Sequence, residues 1–237
     1  MTLTTTYPAP PGPAGPAGPL ANTVYQPQHD SLMLVDAMRR TGIVAGRRVL
    51  DLCTGSGFVA IAAAELGCAS VTAFDICPHA VRSSRDNADT AGVEVDVRQG
   101  SWRKAFGCAP FEVVVSNPPY VPTPPINDRG STRSAAGPSR SWNGGRDGRL
   151  VLGPLCESVS NLLCDGGSLL LVQSAFAGVA QSLDSLQSTG LDAKVIASQI
   201  IPFGPVLSAG ARWLERTGRV PRGCRKEELV VIQADKP

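Results

Sequence analysis

The chain has 237 residues, 43% hydrophobic and 18% charged, with a formal net charge of +2. That composition supports one domain with a sizeable core and excludes global disorder, while 5% aromatic residues argue against a protein built on base-stacking platforms. No apolar run is long enough to span a bilayer and no secretory signal opens the chain, so no membrane role is expected.

Residues 1–22 read as a disordered leader. Gly12-Pro13-Ala14, Gly15-Pro16-Ala17 and Gly18-Pro19-Leu20 have a collagen-like period, but three triplets cannot sustain a triple helix. A single domain over residues 23–237 is expected to follow. Apolar residues recur at helical spacing over 31–41, with Asp30 or Ser31 available as the N-cap. Val49–Leu52 then reads as a strand before a glycine turn, Phe58–Leu66 as an alanine-rich helix ended by Gly67, and Val71–Phe74 as a second strand. A proline opens the next helix, Pro78–Ala91. Val93–Val97 alternates strictly and reads as a third strand, and Val113–Ser116 as a fourth. A long Pro-, Gly-, Ser- and Arg-rich loop covers 117–149. Leu150–Leu163 reads as a helix, Leu169–Val172 as a buried strand after Gly166-Gly167, and Val179–Ser188 as a helix. Val195–Ile201 and Leu229–Ile232 read as two last strands joined without a helix. Strand–helix alternation predicts an α/β fold: seven strands, mostly parallel, with an antiparallel edge hairpin and helices on both faces.

Charge is unevenly placed. Arg129, Arg133, Arg140, Arg146 and Arg149 fall in the long loop, and Arg212, Arg216, Arg219, Arg222, Arg225 and Lys226 in the segment before the last strand. Together they are half of the 22 basic residues, which suits an acidic partner such as RNA or the ribosome as well as it suits solvated loops. The seven cysteines are odd in number and show no Cys-x-x-Cys pair. They read as buried, reduced thiols of a cytoplasmic protein, with no metal site.

In open α/β sheets, ligands bind where strands end. The first strand ends in Asp51-Leu52-Cys53-Thr54-Gly55-Ser56-Gly57, where Gly55 and Gly57 let the backbone approach a ligand closely. The second ends in Asp75, followed by Ile76, and a carboxylate there can accept both ribose hydroxyls of a nucleoside. Gly55-Ser56-Gly57-Phe58-Val59-Ala60 also fits the dinucleotide pattern, so the turn alone admits NAD as well as S-adenosylmethionine. Asp51 tilts the choice, because a carboxylate repels a pyrophosphate and suits the cationic amino group of S-adenosylmethionine. After the third strand, Ser101 and Trp102 are placed to bond and stack an adenine.

Asn117-Pro118-Pro119-Tyr120 follows the fourth strand directly. The prolines fix an extended backbone. The Asn117 side-chain oxygen and the Pro118 carbonyl then become two acceptors for the hydrogens of one planar nitrogen, and Tyr120 supplies a flat wall. Asn117 stands where acceptor and cofactor meet and is counted with both. Methyl transfer to nitrogen in such a site rests on orientation and electrostatics.

With both motifs in place, the chain resembles the HemK-type glutamine methyltransferases, which methylate the Gly-Gly-Gln glutamine of peptide-chain release factors. The likeness is to the short branch typical of eukaryotes and archaea, without the helical N-terminal domain of bacterial members. Val24-Tyr25-Gln26-Pro27-Gln28-His29-Asp30-Ser31 resembles that branch's opening motif, with Gln26 and His29 replacing two acids. Trp142-Asn143-Gly144-Gly145-Arg146-Asp147-Gly148-Arg149 resembles its second signature. Ser101 stands where the family usually carries Asp. The resemblance implies a Rossmann-like class I methyltransferase using S-adenosylmethionine, a release factor as substrate and a small zinc-binding activator protein as partner. Relatives of the short branch methylate histone lysine, and the same tetrapeptide serves adenine and guanine N-methyltransferases of DNA and RNA. Those acceptors therefore stay open, as does a noncatalytic or NAD-binding module.

Overall fold

The prolines and glycines of this sequence punctuate a regular alternation. In the computed structural model, which describes residues 24–108, 110–124 and 141–237, that alternation forms one seven-stranded sheet. Helix α1 (His29–Thr41) leads to β1 (Arg48–Leu52), α2 (Phe58–Glu65), β2 (Ser70–Asp75), α3 (Pro78–Ala91), β3 (Asp96–Gln99) and β4 (Phe111–Ser116). Then come α4 (Leu152–Cys156), β5 (Leu163–Ser174), α5 (Val179–Ser188), β6 (Asp192–Pro202), α6 (Pro205–Arg216) and β7 (Lys226–Asp235). The strand order is β3-β2-β1-β4-β5-β7-β6, parallel through β5, with β7 antiparallel to both of its neighbours.

The chain moves outward from β1 to β3, then returns to β4 on the other side of β1. Right-handed crossovers therefore put α2 and α3 on one face and α4 and α5 on the other. Helix α1 packs on α2 and against β5–β7, beneath the same core, which includes Met33, Leu34 and Met38 from α1 and Leu50, Val114 and Leu170 from the sheet. The reversal between β1 and β4 is the topological switch point. Leu52 at the end of β1 stands level with Phe74 of β2 and Ser116 of β4, so the turns after all three strands open onto one edge.

Several elements differ from the sequence expectation. Helix α1 starts earlier, at His29, and its N-cap is the extended Gln28, so neither Asp30 nor Ser31 caps it. The third strand begins at Asp96 because the Val93 N–H is taken by the Ala88 carbonyl in the turn closing α3. A helix from Leu150 would need the N–H that Pro154 lacks. Only Leu152–Cys156 is α-helical there, followed by a 3₁₀ turn over Val159–Leu162, although Leu152, Leu155, Val159 and Leu162 are all buried at helical spacing. Strand β5 is correspondingly longer and takes in Gly166-Gly167.

The largest correction is α6. The last two strands do pair antiparallel at the edge, but a 12-residue helix joins them. Pro205 opens it, and Leu207, Trp213 and Leu214 turn inward onto Phe176, Phe203 and Val220 in a small second core. Of the cysteines, all are free but only Cys156 is buried. The leader and Arg129, Arg133 and Arg140 lie outside the described residues. No helix among the described residues is long and apolar enough to cross a membrane, and no group of acidic, His and Cys side chains there could hold a metal ion.

Candidate active site

The turn after β1 is built by conformation before chemistry. Cys53, Gly55 and Gly57 all have positive φ, at 63°, 57° and 84°. Cys53 is the only non-glycine residue in that region among the described residues, a conformation costing about 1–3 kcal/mol. A Cβ on Gly57 would collide with Ser84 Oγ of α3, so glycine there lets α2 and α3 meet. At Gly55 the space beyond the backbone is open. The turn thus leaves room on its outer side for a ligand.

Asp51 lies under this turn, fully buried. Its Oδ2 accepts the Thr54 hydroxyl at 2.6 Å, and its Oδ1 has no hydrogen-bond partner. Burial pushes its carboxyl up to about 7, the Thr54 bond pulls the other way, and the charge of Asp75 adds to the rise. A buried carboxylate with one orphaned oxygen is incomplete, and a cationic donor would complete it.

Asp75 closes β2. Its Oδ2 accepts the Gly55 N–H at 2.9 Å and its Oδ1 the Cys77 N–H at 2.8 Å. Each oxygen keeps a lone pair, so the two can still accept a pair of hydroxyls. Burial raises its carboxyl against these two backbone bonds. Ile76 beside it is 57% exposed, an apolar side chain placed in solvent at the mouth of the turn. The Gly100 N–H donates to the Asp75 carbonyl at 2.8 Å, which ties the loop after β3 to the end of β2. Ser101 leads into a 3₁₀ turn over Trp102–Gly107. The half-buried Trp102 ring meets Phe106 edge-on at 5.9 Å and carries the Arg103 guanidinium 5.2 Å from its centre.

The tetrapeptide after β4 is held from two sides. From α1, Ser31 Oγ accepts the Asn117 side-chain N–H at 3.2 Å. Tyr120 OH donates to Asp30 Oδ2 at 2.8 Å, and Tyr25 OH donates to the same oxygen at 2.8 Å. Burial and the Asp30 charge hold both phenols well above their ordinary range, so both stay donors. Glu227 at the start of β7 joins this group electrostatically. It is buried, its Oε2 has no partner, and burial pushes its carboxyl up to about 7 against a hydrogen bond from Ser174.

From the other side, residues 142–149 clamp the chain beyond Tyr120. Val121 N–H donates to the Trp142 carbonyl, Gly144 N–H to that of Val121, and Thr123 N–H to that of Gly145, at 2.8–3.0 Å. A Cβ on Gly144 would sit 2.8 Å from the Tyr120 backbone, and one on Gly148 would strike the Tyr120 carbonyl. Arg149 anchors the clamp by donating to the Ala177 and Gly178 carbonyls and to Ser182 Oγ, at 2.7, 3.1 and 2.9 Å.

All the residues named from the sequence thus lie at the ends of β1 and β2 (Asp51 and Asp75) or in the turns after β1, β2, β3 and β4: Thr54, Gly55, Gly57, Ile76, Ser101, Trp102, Asn117, Pro118 and Tyr120. Sequence reasoning missed the Asp30 carboxylate as the point where two phenols meet, and it missed Glu227. Asp30 was visible as a candidate cap and as the retained acid of the opening motif, but its contact with Tyr120, 90 positions away, was not.

Comparison with known proteins agrees with this architecture. The sequence profile of the ribosomal protein L11 methyltransferase family (PrmA) matches residues 30–118. A provisionally named protein N5-glutamine methyltransferase of Methanocaldococcus jannaschii is 28% identical over 189 residues, covering 79% of this chain and 91% of that one. The release factor glutamine methyltransferase of Deinococcus radiodurans is 38% identical over 127 residues, covering 52% of this chain and 44% of that one. The chain spans about half the length of the release factor glutamine methyltransferases it matches. Among solved structures, the E. cuniculi Mtq2–Trm112 complex, described as responsible for methylating the eRF1 translation termination factor, superposes with a TM-score of 0.60 at 21% identity. It covers 90% of this chain and 99% of that one. Sheet order, switch-point turns and these likenesses together make the chain a Rossmann-like class I methyltransferase fold, similar in sequence to release factor glutamine methyltransferases.

Proposed function

We propose that the chain transfers a methyl group from S-adenosylmethionine to the side-chain amide nitrogen of a glutamine in a peptide-chain release factor or a similar protein. The observation that carries this reading is the fixed amide of Asn117. Its side-chain N–H is held by Ser31 Oγ at 3.2 Å, and the amide oxygen that this orientation leaves over is the atom we assign to the substrate.

The residues present fit the cofactor. The orphaned Asp51 Oδ1 suits its ammonium, the open space over Gly55 its backbone approach, the paired oxygens of Asp75 its ribose, and exposed Ile76 with Trp102 its adenine. When bound, S-adenosylmethionine supplies an electrophilic methyl group on a sulfonium. The chain does the rest by orientation. Asn117 Oδ1 and the Pro118 carbonyl each accept one hydrogen of the glutamine NH₂. That turns the nitrogen lone pair toward the cofactor side, and the Tyr120 ring limits tilting of the amide plane. The surplus proton leaves once the nitrogen carries positive charge, so no general base is required beforehand.

In this reading the protein works in the cytoplasm, where release factors act. The exposed cations of Arg212, Arg216 and Arg222 on and after α6 stand at the acceptor edge of the sheet, since α6 joins the end of β6 to the start of β7. They fit an acidic partner surface, including ribosomal RNA around a bound release factor. A small activator subunit belongs to the same reading by analogy with the E. cuniculi complex.

The test is incubation of purified protein with radiolabelled S-adenosylmethionine and a release factor carrying Gly-Gly-Gln, with and without an activator subunit. Label that disappears when the glutamine is replaced supports the reading. Label that survives protease and is lost to nuclease supports a nucleobase amino group instead, and label on lysine peptides alone supports an ammonium-derived acceptor.

A further inference from the structure

Resting on that reading, we infer that Asp30 and Ser31 set the hydrogen-bond polarity of the acceptor site, acting as positioning residues through Asn117. Donors and acceptors along one chain of contacts allow only one direction. Asp30 Oδ1 accepts the Ser31 N–H at 2.7 Å and lies 3.4 Å from Ser31 Oγ, which donates its only hydrogen to it. Asp30 Oδ2 accepts Tyr25 and Tyr120. A carboxylate has no hydrogen to give, so each of these contacts must point toward Asp30.

That direction propagates. With its hydrogen committed to Asp30, Ser31 Oγ can only accept from Asn117, so Asn117 must show it the NH₂ end. The Asn117 oxygen is then left for the substrate, and it accepts an N–H. An asparagine amide has no steric preference between its two orientations, because nitrogen and oxygen are nearly the same size. Without Ser31 and Asp30 the amide could rotate and offer a donor where the substrate needs an acceptor. The same Asp30 carboxylate fixes the Tyr120 ring, so one buried side chain orients both ends of the Asn-Pro-Pro-Tyr turn. A site of this polarity takes a nitrogen that donates hydrogen and rejects one that can only accept.

Three variants and two readouts test this. Ser31→Ala removes the acceptor for Asn117, Ser31→Thr keeps a hydroxyl, and Asp30→Asn adds a donor that can reverse the chain of bonds. The first readout is the ¹⁵N-resolved side-chain signal of Asn117, identified by its loss in Asn117→Ala and followed for hydrogen exchange in protein without substrate. The expected result is a protected signal in the parent and in Ser31→Thr, and loss of protection in Ser31→Ala and Asp30→Asn. The second is steady-state kinetics. Turnover should fall about 10–100-fold in Ser31→Ala and Asp30→Asn, as misorientation of a reacting group costs, with recovery in Ser31→Thr and cofactor affinity unchanged. An Asn117 signal indifferent to Ser31→Ala overturns the inference, as does a loss of activity explained wholly by weaker cofactor binding. If the signals respond as described but no glutamine is methylated, the proposed function fails and the polarity assignment stands.

Discussion

Asp51 combines full burial, one orphaned oxygen and a carboxyl pushed up to about 7. Its folded-state value exceeds the ordinary 3.8, so the folded chain holds that proton more tightly than the unfolded chain does. Stability from this group is therefore fully present below pH 3.8 and is lost as pH rises toward 7. Glu227, raised from 4.5 to about 7, acts in the same direction. Thermal melts of the ligand-free protein should accordingly show a falling midpoint between about pH 4.5 and 7, and Asp51→Asn should flatten part of that slope. Cofactor binding runs the opposite way. An ammonium beside Asp51 favours the ionised carboxylate, so affinity should rise by up to about tenfold per pH unit below 7 and level above it. Calorimetric titrations from pH 5.5 to 7.5 check this. An affinity flat across that range would mean that Asp51 does not meet the ammonium.

At the level of elements, the clamp formed by residues 142–149 decides how firmly the acceptor turn is held. Gly148, at φ 80°, lies against the Tyr120 carbonyl, so a side chain there is strained in its own backbone and also displaces the turn. Gly148→Ala should cost about 1–3 kcal/mol in unfolding free energy and lower turnover more than cofactor affinity. Denaturant unfolding, paired with kinetics, separates the two effects. Unchanged turnover in a destabilised protein would show that the clamp does not transmit to the site. Most elements were legible because their signals are local. The glycine turn after β1, the proline opening α3 and the tetrapeptide after β4 each carry their own punctuation. Helix α6 was not legible, since dense arginine masks the inward spacing of Leu207, Ala211 and Leu214, which Pro205 introduces. The cofactor turn could be read residue by residue. The grouping of Tyr25, Asp30 and Tyr120 could not, because it depends on the start of α1 meeting the turn after β4.

At the scale of the whole molecule, every turn of the candidate site opens on the carboxyl edge of the sheet, and the basic face of α6 borders that edge. Replacing Arg212, Arg216 and Arg222 together by Gln should raise the Michaelis constant of a protein acceptor several-fold at low salt and much less at high salt. Kinetics at two ionic strengths provide the check, and a salt-independent effect would argue against electrostatic steering. The central claim is that Asn117, although it stands where acceptor and cofactor meet, acts chiefly by orienting the acceptor nitrogen. Its most direct test is Asn117→Ala, measured for cofactor affinity and for turnover on a release factor carrying Gly-Gly-Gln. Affinity should stay near that of the parent while turnover falls about 10²–10³-fold, the usual consequence of removing one preorganised polar group. Near-normal turnover in that variant, with the cofactor still bound, would contradict the account.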